Sequence, residues 1–247
     1  MRMDRVIAVR NTKTIYHDGV RCVKVFDVDY SKTDILNEAL NHAKAEKLAI
    51  HVPHLLEVTT YEKKWAIVTE YINGKTMAQQ MQENPGNSEQ LLEQFIEIQK
   101  SIHNEDGFGF QKLRDKIEWK ISHCDLSEST KYELQTCLSA MPVQNAVLHG
   151  DFIPDNIIIR EDGMPFVIDW SHASSGNASE DVAKSYLHFC KNGKEKLAQQ
   201  YLEMYSAISN TDIEHIKQWI PIAAAELYYK AGKRERGFYQ RMADIIE

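Results

Sequence analysis

Apolar residues form short runs over the first seventy positions and recur at helical spacing over much of the rest. Val6-Ile7-Ala8-Val9 is a run of strand length. Thr14-Ile15-Tyr16 and residues 20–28 flank His17-Asp18-Gly19, and Asp-Gly between two such runs predicts a hairpin. In the second arm, Val20, Cys22, Lys24 and Phe26 share one face, with Arg21, Val23 and Val25 on the other. Lys24 therefore stands mid-strand among apolar neighbours. Ser31-x-x-Asp34 has the form of a capping box, before Ile35, Leu36, Ala39, Leu40 and Ala43 at helical spacing. Glu38 falls within the first two turns of that helix. Pro53 closes this region. Residues 65–71 (Trp-Ala-Ile-Val-Thr-Glu-Tyr) read as a buried strand, broken by Asn73-Gly74.

Beyond Gly74 the pattern turns helical. Leu91, Phe95, Ile98 and Ile102 mark an amphipathic face. A compact β-patch follows Pro142: Ala146-Val147-Leu148, Ile157-Ile158-Ile159 and Phe166-Val167-Ile168, with Asp162-Gly163 as the turn between the last two. From about residue 178 the chain is helical again, with Thr211-x-x-Glu214 as a second capping box before Ile216 and Ile220. The prediction is an α+β chain with a small β-rich part, a break near residue 73, and a larger, mostly helical part carrying an embedded hairpin.

Composition narrows the classes. At 247 residues one or two domains are expected, and 43% hydrophobic with 26% charged residues excludes disordered and collagen-like chains. No apolar run approaches the roughly 18 residues that span a bilayer, and no signal-peptide stretch follows the first Met. The net charge of −7 argues against a general nucleic-acid binder and leaves room for a cationic ligand. Cys22, Cys124, Cys137 and Cys190 form no C-x-x-C pair and read as reduced residues of a cytoplasmic protein. Ten histidines show no H-E-x-x-H spacing.

The chemistry concentrates in His149-Gly150-Asp151-Phe152-Ile153-Pro154-Asp155-Asn156 and in the strand ending Ile168-Asp169-Trp170. Asp151, Asn156 and Asp169 border strands that are otherwise apolar. The turn at Asp162-Gly163 returns Asp169 beside the loop holding Asn156. Each alone is a common turn former. Together, two carboxylates and a carboxamide offer hard oxygen ligands suited to Mg²⁺, with a carboxylate free to take a proton from a hydroxyl.

H-G-D-x-x-P-x-N followed by I-D-W resembles the aminoglycoside phosphotransferase and choline kinase superfamily, which shares the protein-kinase fold. The resemblance runs from about Val6 to the C-terminus. It implies a two-lobe fold, with a nucleotide-binding lobe over residues 1–72 and a catalytic, acceptor-binding lobe over residues 73–247. It implies a Mg²⁺-dependent transfer of the γ-phosphoryl of ATP or GTP to a hydroxyl of a small molecule, for which the −7 balance favours a cationic or neutral one over an anionic one. By position, Asp151 resembles the catalytic Asp, and Asn156 and Asp169 the metal ligands. Lys24 resembles the lysine on the α- and β-phosphates, and Glu38 the glutamate that holds it. Thr69, Glu70, Tyr71 and Ile72 resemble the hinge that meets the base. His149 and Asp181 resemble residues that brace the loop.

One departure stands out. The segment expected to cover the phosphates, Arg10-Asn11-Thr12-Lys13-Thr14, has no glycine, so the backbone approaches phosphate less freely. The side chains of Asn11, Thr12 and Lys13 are the alternative contacts. A nucleotide-binding pseudoenzyme and a kinase acting on protein remain open as other readings. The segment of residues 171–177 is short and there is no A-P-E sequence, which favours a small acceptor over a peptide. Trp170, Trp219, Glu226 and Tyr228 are candidate liners of its site.

Overall fold

The computed structural model describes residues 5–10 and 12–244 of the chain. Two compact units make up the chain, one of Met1–Pro85 with Pro154–His172 and one of Gly86–Ile153 with Ala173–Glu247.

In the first unit, β1 (Arg5–Val9), β2 (Lys13–Asp18), β3 (Arg21–Phe26), β4 (Leu55–Tyr61) and β5 (Lys64–Glu70) form an antiparallel sheet in the order β1-β2-β3-β5-β4. The alternation read in the second hairpin arm matches the two faces. Val23, Val25, Ala66 and Val68 cluster on one side with Tyr16 and Tyr61. Phe26 and Ile67 cluster on the other with Ile35 and Ala39 of α1 (Lys32–Ala45). Ser31 caps α1 by accepting the Asp34 N–H, as the capping pattern predicts. The helix is thus packed on the face that also carries Lys24, which places Glu38 over that strand.

A second, three-stranded sheet of β6 (Gly74–Thr76), β8 (Ile157–Arg160) and β9 (Pro165–Val167), in the order β6-β8-β9, belongs to the same unit. Gly74 is required there: a Cβ would lie 2.3 Å from the Ile159 carbonyl oxygen. Gly163, at φ +84°, turns β8 into β9. The short helix α2 (Met77–Glu83) follows β6 and starts with a full capping box between Thr76 and Gln79.

The second unit is helical apart from the pair β7 (Ala146–Leu148) and β10 (Ser174–Gly176). It holds α3 (Ser88–His103), α4 (Leu113–His123), α5 (Glu128–Ala140), α6 (Ala178–Lys191), α7 (Glu195–Ser209), α8 (Ile213–Lys230) and α9 (Lys233–Ala243). Its core joins Leu113, Ile117 and Ile121 of α4 with Leu134 and Leu138, Ala183 and Leu187, and Trp219 and Ile222 of α8. In α3 the buried residues are Leu92, Phe95, Ile96, Gln99 and Ile102, so the apolar face is rotated from the expected one: Leu91 and Ile98 are only half-buried. Asp212, not Thr211, caps α8, because its carboxylate reaches the Glu214 N–H. No helix among the described residues is long and apolar enough to cross a membrane.

Candidate active site

Two groups of expected site residues take shape, one in each unit. In the first unit, register sets the geometry. Lys13 stands opposite Phe26, and Ile15 opposite Lys24, in the β2–β3 ladder. Directly opposed residues share a face, so Lys13, Ile15, Lys24 and Phe26 line the side covered by α1. There the Lys24 ammonium pairs with Glu38 Oε1 and lies 3.3 Å from Asp169 Oδ1. The Lys13 ammonium lies 3.3 Å from Asp169 Oδ2 and 3.9 Å from Glu38 Oε2. Two ammonium groups therefore face two carboxylates. Burial opposes charge on Lys24, but Asp169 and Glu38 outweigh it and hold the ammonium protonated, above the usual lysine range. Burial likewise pushes the Asp169 carboxyl up, yet Lys24, Lys13 and His172 prevail and keep it well below the usual carboxylate range.

Asp169 adopts φ +63°, a left-handed conformation that costs energy for a residue other than glycine and tends to persist at functional sites. The turn follows β9 directly. The Ile168 N–H donates to the Asn156 carbonyl at 2.9 Å, extending the Ile157–Val167 pairing. Asn156 and Asp169 thus leave neighbouring stretches of backbone. Asn156 ends a 3-10 turn over Pro154–Asn156 and is buried. Among the described residues no group of three His, Cys, Asp or Glu side chains could hold a metal by itself. One carboxylate and one carboxamide do suit Mg²⁺, which keeps waters and substrate phosphates as its remaining ligands.

Thr69 and Glu70 lie at the end of β5, with Thr69 opposite Cys22 and Glu70 opposite Arg21. Glu70, Tyr71, Ile72 and Asn73 line a pocket of about 440 Å³ together with Arg160, Glu161 and Asp162 of the β8–β9 turn. Tyr71 packs against His17 at 4.1 Å between ring centroids, and its N–H donates to the Val20 carbonyl. Asn11 lies outside the described residues.

The second unit carries Asp151 in the loop after β7. Gly150 takes φ +80° to make the turn. Asp181, fully buried near the start of α6, accepts the N–H of Gly150 at 2.7 Å and that of His149 at 3.2 Å. Its Oδ2 also meets His103 Nε2 at 3.1 Å. Burial raises the Asp181 carboxyl, but the hydrogen bond and charge of His103, with the charges of His149 and Lys184, bring it down to about 2. His149 is buried and its Nδ1 accepts the Asp151 N–H at 3.3 Å, a bracing role. Ser185 donates to the Phe152 carbonyl at 2.6 Å and fixes the far side of the loop.

Sequence reasoning had no signal for His103, which sits at the end of α3, far from the motif in the chain. It placed Lys13 near phosphate but not on Asp169. The four candidate acceptor liners are all buried. Trp219 and Tyr228 belong to the core of the second unit, and Trp170 is fully enclosed in the first. Glu226 is held by Lys120 and Lys184 at 2.6 and 2.7 Å.

A β-rich N-terminal region with a lysine–glutamate pair and a following Asp, joined to a helical C-terminal region, defines a protein-kinase-like two-lobe fold. A model of the phosphotransferase enzyme family matches residues 13–219, most of the chain, and the protein belongs to that family. Solved structures agree on the fold. Aminoglycoside phosphotransferase APH(4)-Ia is similar over 97% of this chain and 91% of its own, at 16% identity and a TM-score of 0.73. A choline/ethanolamine kinase family protein from Mesorhizobium loti is similar over 98% of this chain and 87% of its own, at 16% identity and a TM-score of 0.64. The streptomycin–ATP–APH(2″)-IIa ternary complex is similar over 96% of this chain and 88% of its own, at 14% identity and a TM-score of 0.61. No curated protein sequence matches the chain.

Proposed function

We propose that this phosphotransferase is a small-molecule kinase that moves the γ-phosphoryl of ATP or GTP to a hydroxyl of a small, cationic or neutral acceptor, with Mg²⁺. The observation that carries this reading is the Lys24–Glu38–Asp169 arrangement in a chain of this family. The nucleotide and small hydroxylated acceptor are supported by the relative crystallised with ATP and streptomycin.

Lys24, held by Glu38, takes the α- and β-phosphates. Asn156 and Asp169 would hold Mg²⁺, which would supply neutralisation of charge on the phosphate oxygens. Asp151 accepts the acceptor's hydroxyl proton from a loop made rigid by Asp181 and His149. Thr69, Glu70, Tyr71 and Ile72 receive the base. The protein's part in phosphoryl transfer is positioning and charge stabilisation, so a set of fixed charges meets the chemical need. The test is transfer of labelled γ-phosphate to amino sugars, amino alcohols, neutral sugars and peptides side by side, with and without Mg²⁺. Transfer to peptides alone, or none with nucleotide bound, points to the protein kinase or the pseudoenzyme instead.

A further inference from the structure

We propose that Lys13 is an exchanging cation: it neutralises Asp169 and would pass to the nucleotide's terminal phosphates when Asp169 takes Mg²⁺. The inference rests on the proposed function, which gives Asp169 the metal.

Both oxygens of the Asp169 carboxylate carry an ammonium, Lys24 on Oδ1 and Lys13 on Oδ2, each at 3.3 Å. Mg²⁺ on Asp169 would be held through that same carboxylate. It cannot be held there with both ammonium groups in place, because cations that close repel strongly in a partly buried site. One lysine must withdraw. Lys24 is anchored by its hydrogen bond to Glu38 Oε1, whereas Lys13 reaches the other Glu38 oxygen only at 3.9 Å. Lys13 is therefore the one that yields.

Its new partner follows from where it starts. Lys13 opens β2 and belongs to the segment without glycine that would cover the phosphates. Its ammonium lies over the Phe26 ring, 6.0 Å from the ring centroid, on the same face of the sheet. A lysine is a compact, rotatable point charge, well suited to phosphate. In this chain a side-chain cation takes the place that backbone N–H groups of a glycine-rich loop would fill. The charge released from Asp169 and the charge needed on the phosphates are then one ammonium used twice.

Two titrations of the full chain test this, with Mn²⁺ alone followed by the spin resonance of the free ion, and with MgADP followed by calorimetry. Lys13→Met is expected to tighten Mn²⁺ binding about threefold or more, since a competing cation is gone. The same variant is expected to weaken MgADP binding about tenfold, the scale of one charged hydrogen bond. Lys13→Gln provides a second variant with the same two signs, and Lys13→Arg restores MgADP binding. A lysine that only supports the fold moves both affinities in one direction. Mn²⁺ binding that is unchanged, weaker or undetectable in both neutral variants overturns the exchange, as does unchanged MgADP affinity. Asp169→Asn separates the causes. If MgADP binding survives that change, the metal assignment itself fails and this inference falls with it. If it is lost while the Lys13 variants are silent, the exchange alone is wrong.

Discussion

Asp181 Oδ1 accepts the Gly150 N–H at 2.7 Å, one residue before Asp151. That bond and its companion from His149 tie α6 to the turn that presents Asp151. Asp181→Ala leaves two buried N–H groups and His103 without their acceptor, at an expected cost of about 3 kcal/mol in unfolding free energy. The carboxyl titrates near 2 against an ordinary 3.8, so its stabilising contribution is complete above about pH 4 and is lost as pH falls through about 2. Urea unfolding at pH 7 and pH 3 measures both effects. The difference between wild type and variant should shrink at the lower pH, and an equal difference at both would remove Asp181 as the charged brace.

Lys24→Met should raise the nucleotide KM or lower kcat by about tenfold or more while the protein stays folded, since the apolar stem remains and the charge is lost. Thermal melting checks the fold and steady-state kinetics the site. Unchanged kinetics would make the Lys24–Glu38–Asp169 group a structural ion network and nothing more.

Much of this was legible beforehand, for reasons specific to each element. The β2–β3 hairpin, α1 with its Ser31 cap and the turn at Gly163 each carry local chemistry that declares itself. The β4–β5 hairpin does not. Its turn uses Glu62 and Lys63 at φ +48° and +66°, residues that seldom take such angles, so no glycine or asparagine marks it. The strand β10 hides in the polar Ser174-Ser175-Gly176 because its three residues pair with β7 and are buried by their surroundings. At the site, the motif around Asp151, Asn156 and Asp169 was visible from spacing. The reach of Lys13 to Asp169 depends on a ladder register and on α1 covering that face. The contact of His103 with Asp181 depends on packing of α3 against the rest of its unit. Tertiary partners of this kind leave no periodicity to read.

Asp169→Ala should abolish Mg²⁺-dependent nucleotide binding more completely than Asn156→Ala, because a carboxylate is the stronger ligand for a hard cation and carries the charge. Calorimetric titration of MgATP against both variants ranks them. A larger loss in the Asn156 variant would reverse the assignment of the principal ligand.

In the second unit Lys116, Lys120 and Lys184 share Glu226, with Glu180 beside Lys184 at 2.8 Å. Burial, with Glu226 adding to it against the pull of Lys184, raises the Glu180 carboxyl to about 8, while the three lysines outweigh burial and hold Glu226 well below its usual range. Glu180 is thus neutral and Glu226 charged at pH 7. A raised carboxyl contributes stability in full below its ordinary 4.5, and that contribution is lost as pH rises through about 8. Glu180→Gln should therefore gain on wild type between pH 5 and pH 8, by roughly 1–3 kcal/mol. Glu226→Gln removes the shared counter-charge and should cost about 3–5 kcal/mol at pH 7. Chemical denaturation across that range distinguishes them, and equal losses from both substitutions would contradict the unequal protonation.

The most direct measurement is single-turnover transfer of labelled γ-phosphate to small hydroxylated acceptors by wild type and Asp151→Asn, with MgATP binding measured in parallel. The expected result is Mg²⁺-dependent transfer by the wild type, lowered about 10²–10⁴-fold in the variant, with nucleotide affinity nearly unchanged, because the amide cannot accept the hydroxyl proton. Transfer by the variant within a few-fold of wild type would contradict the account.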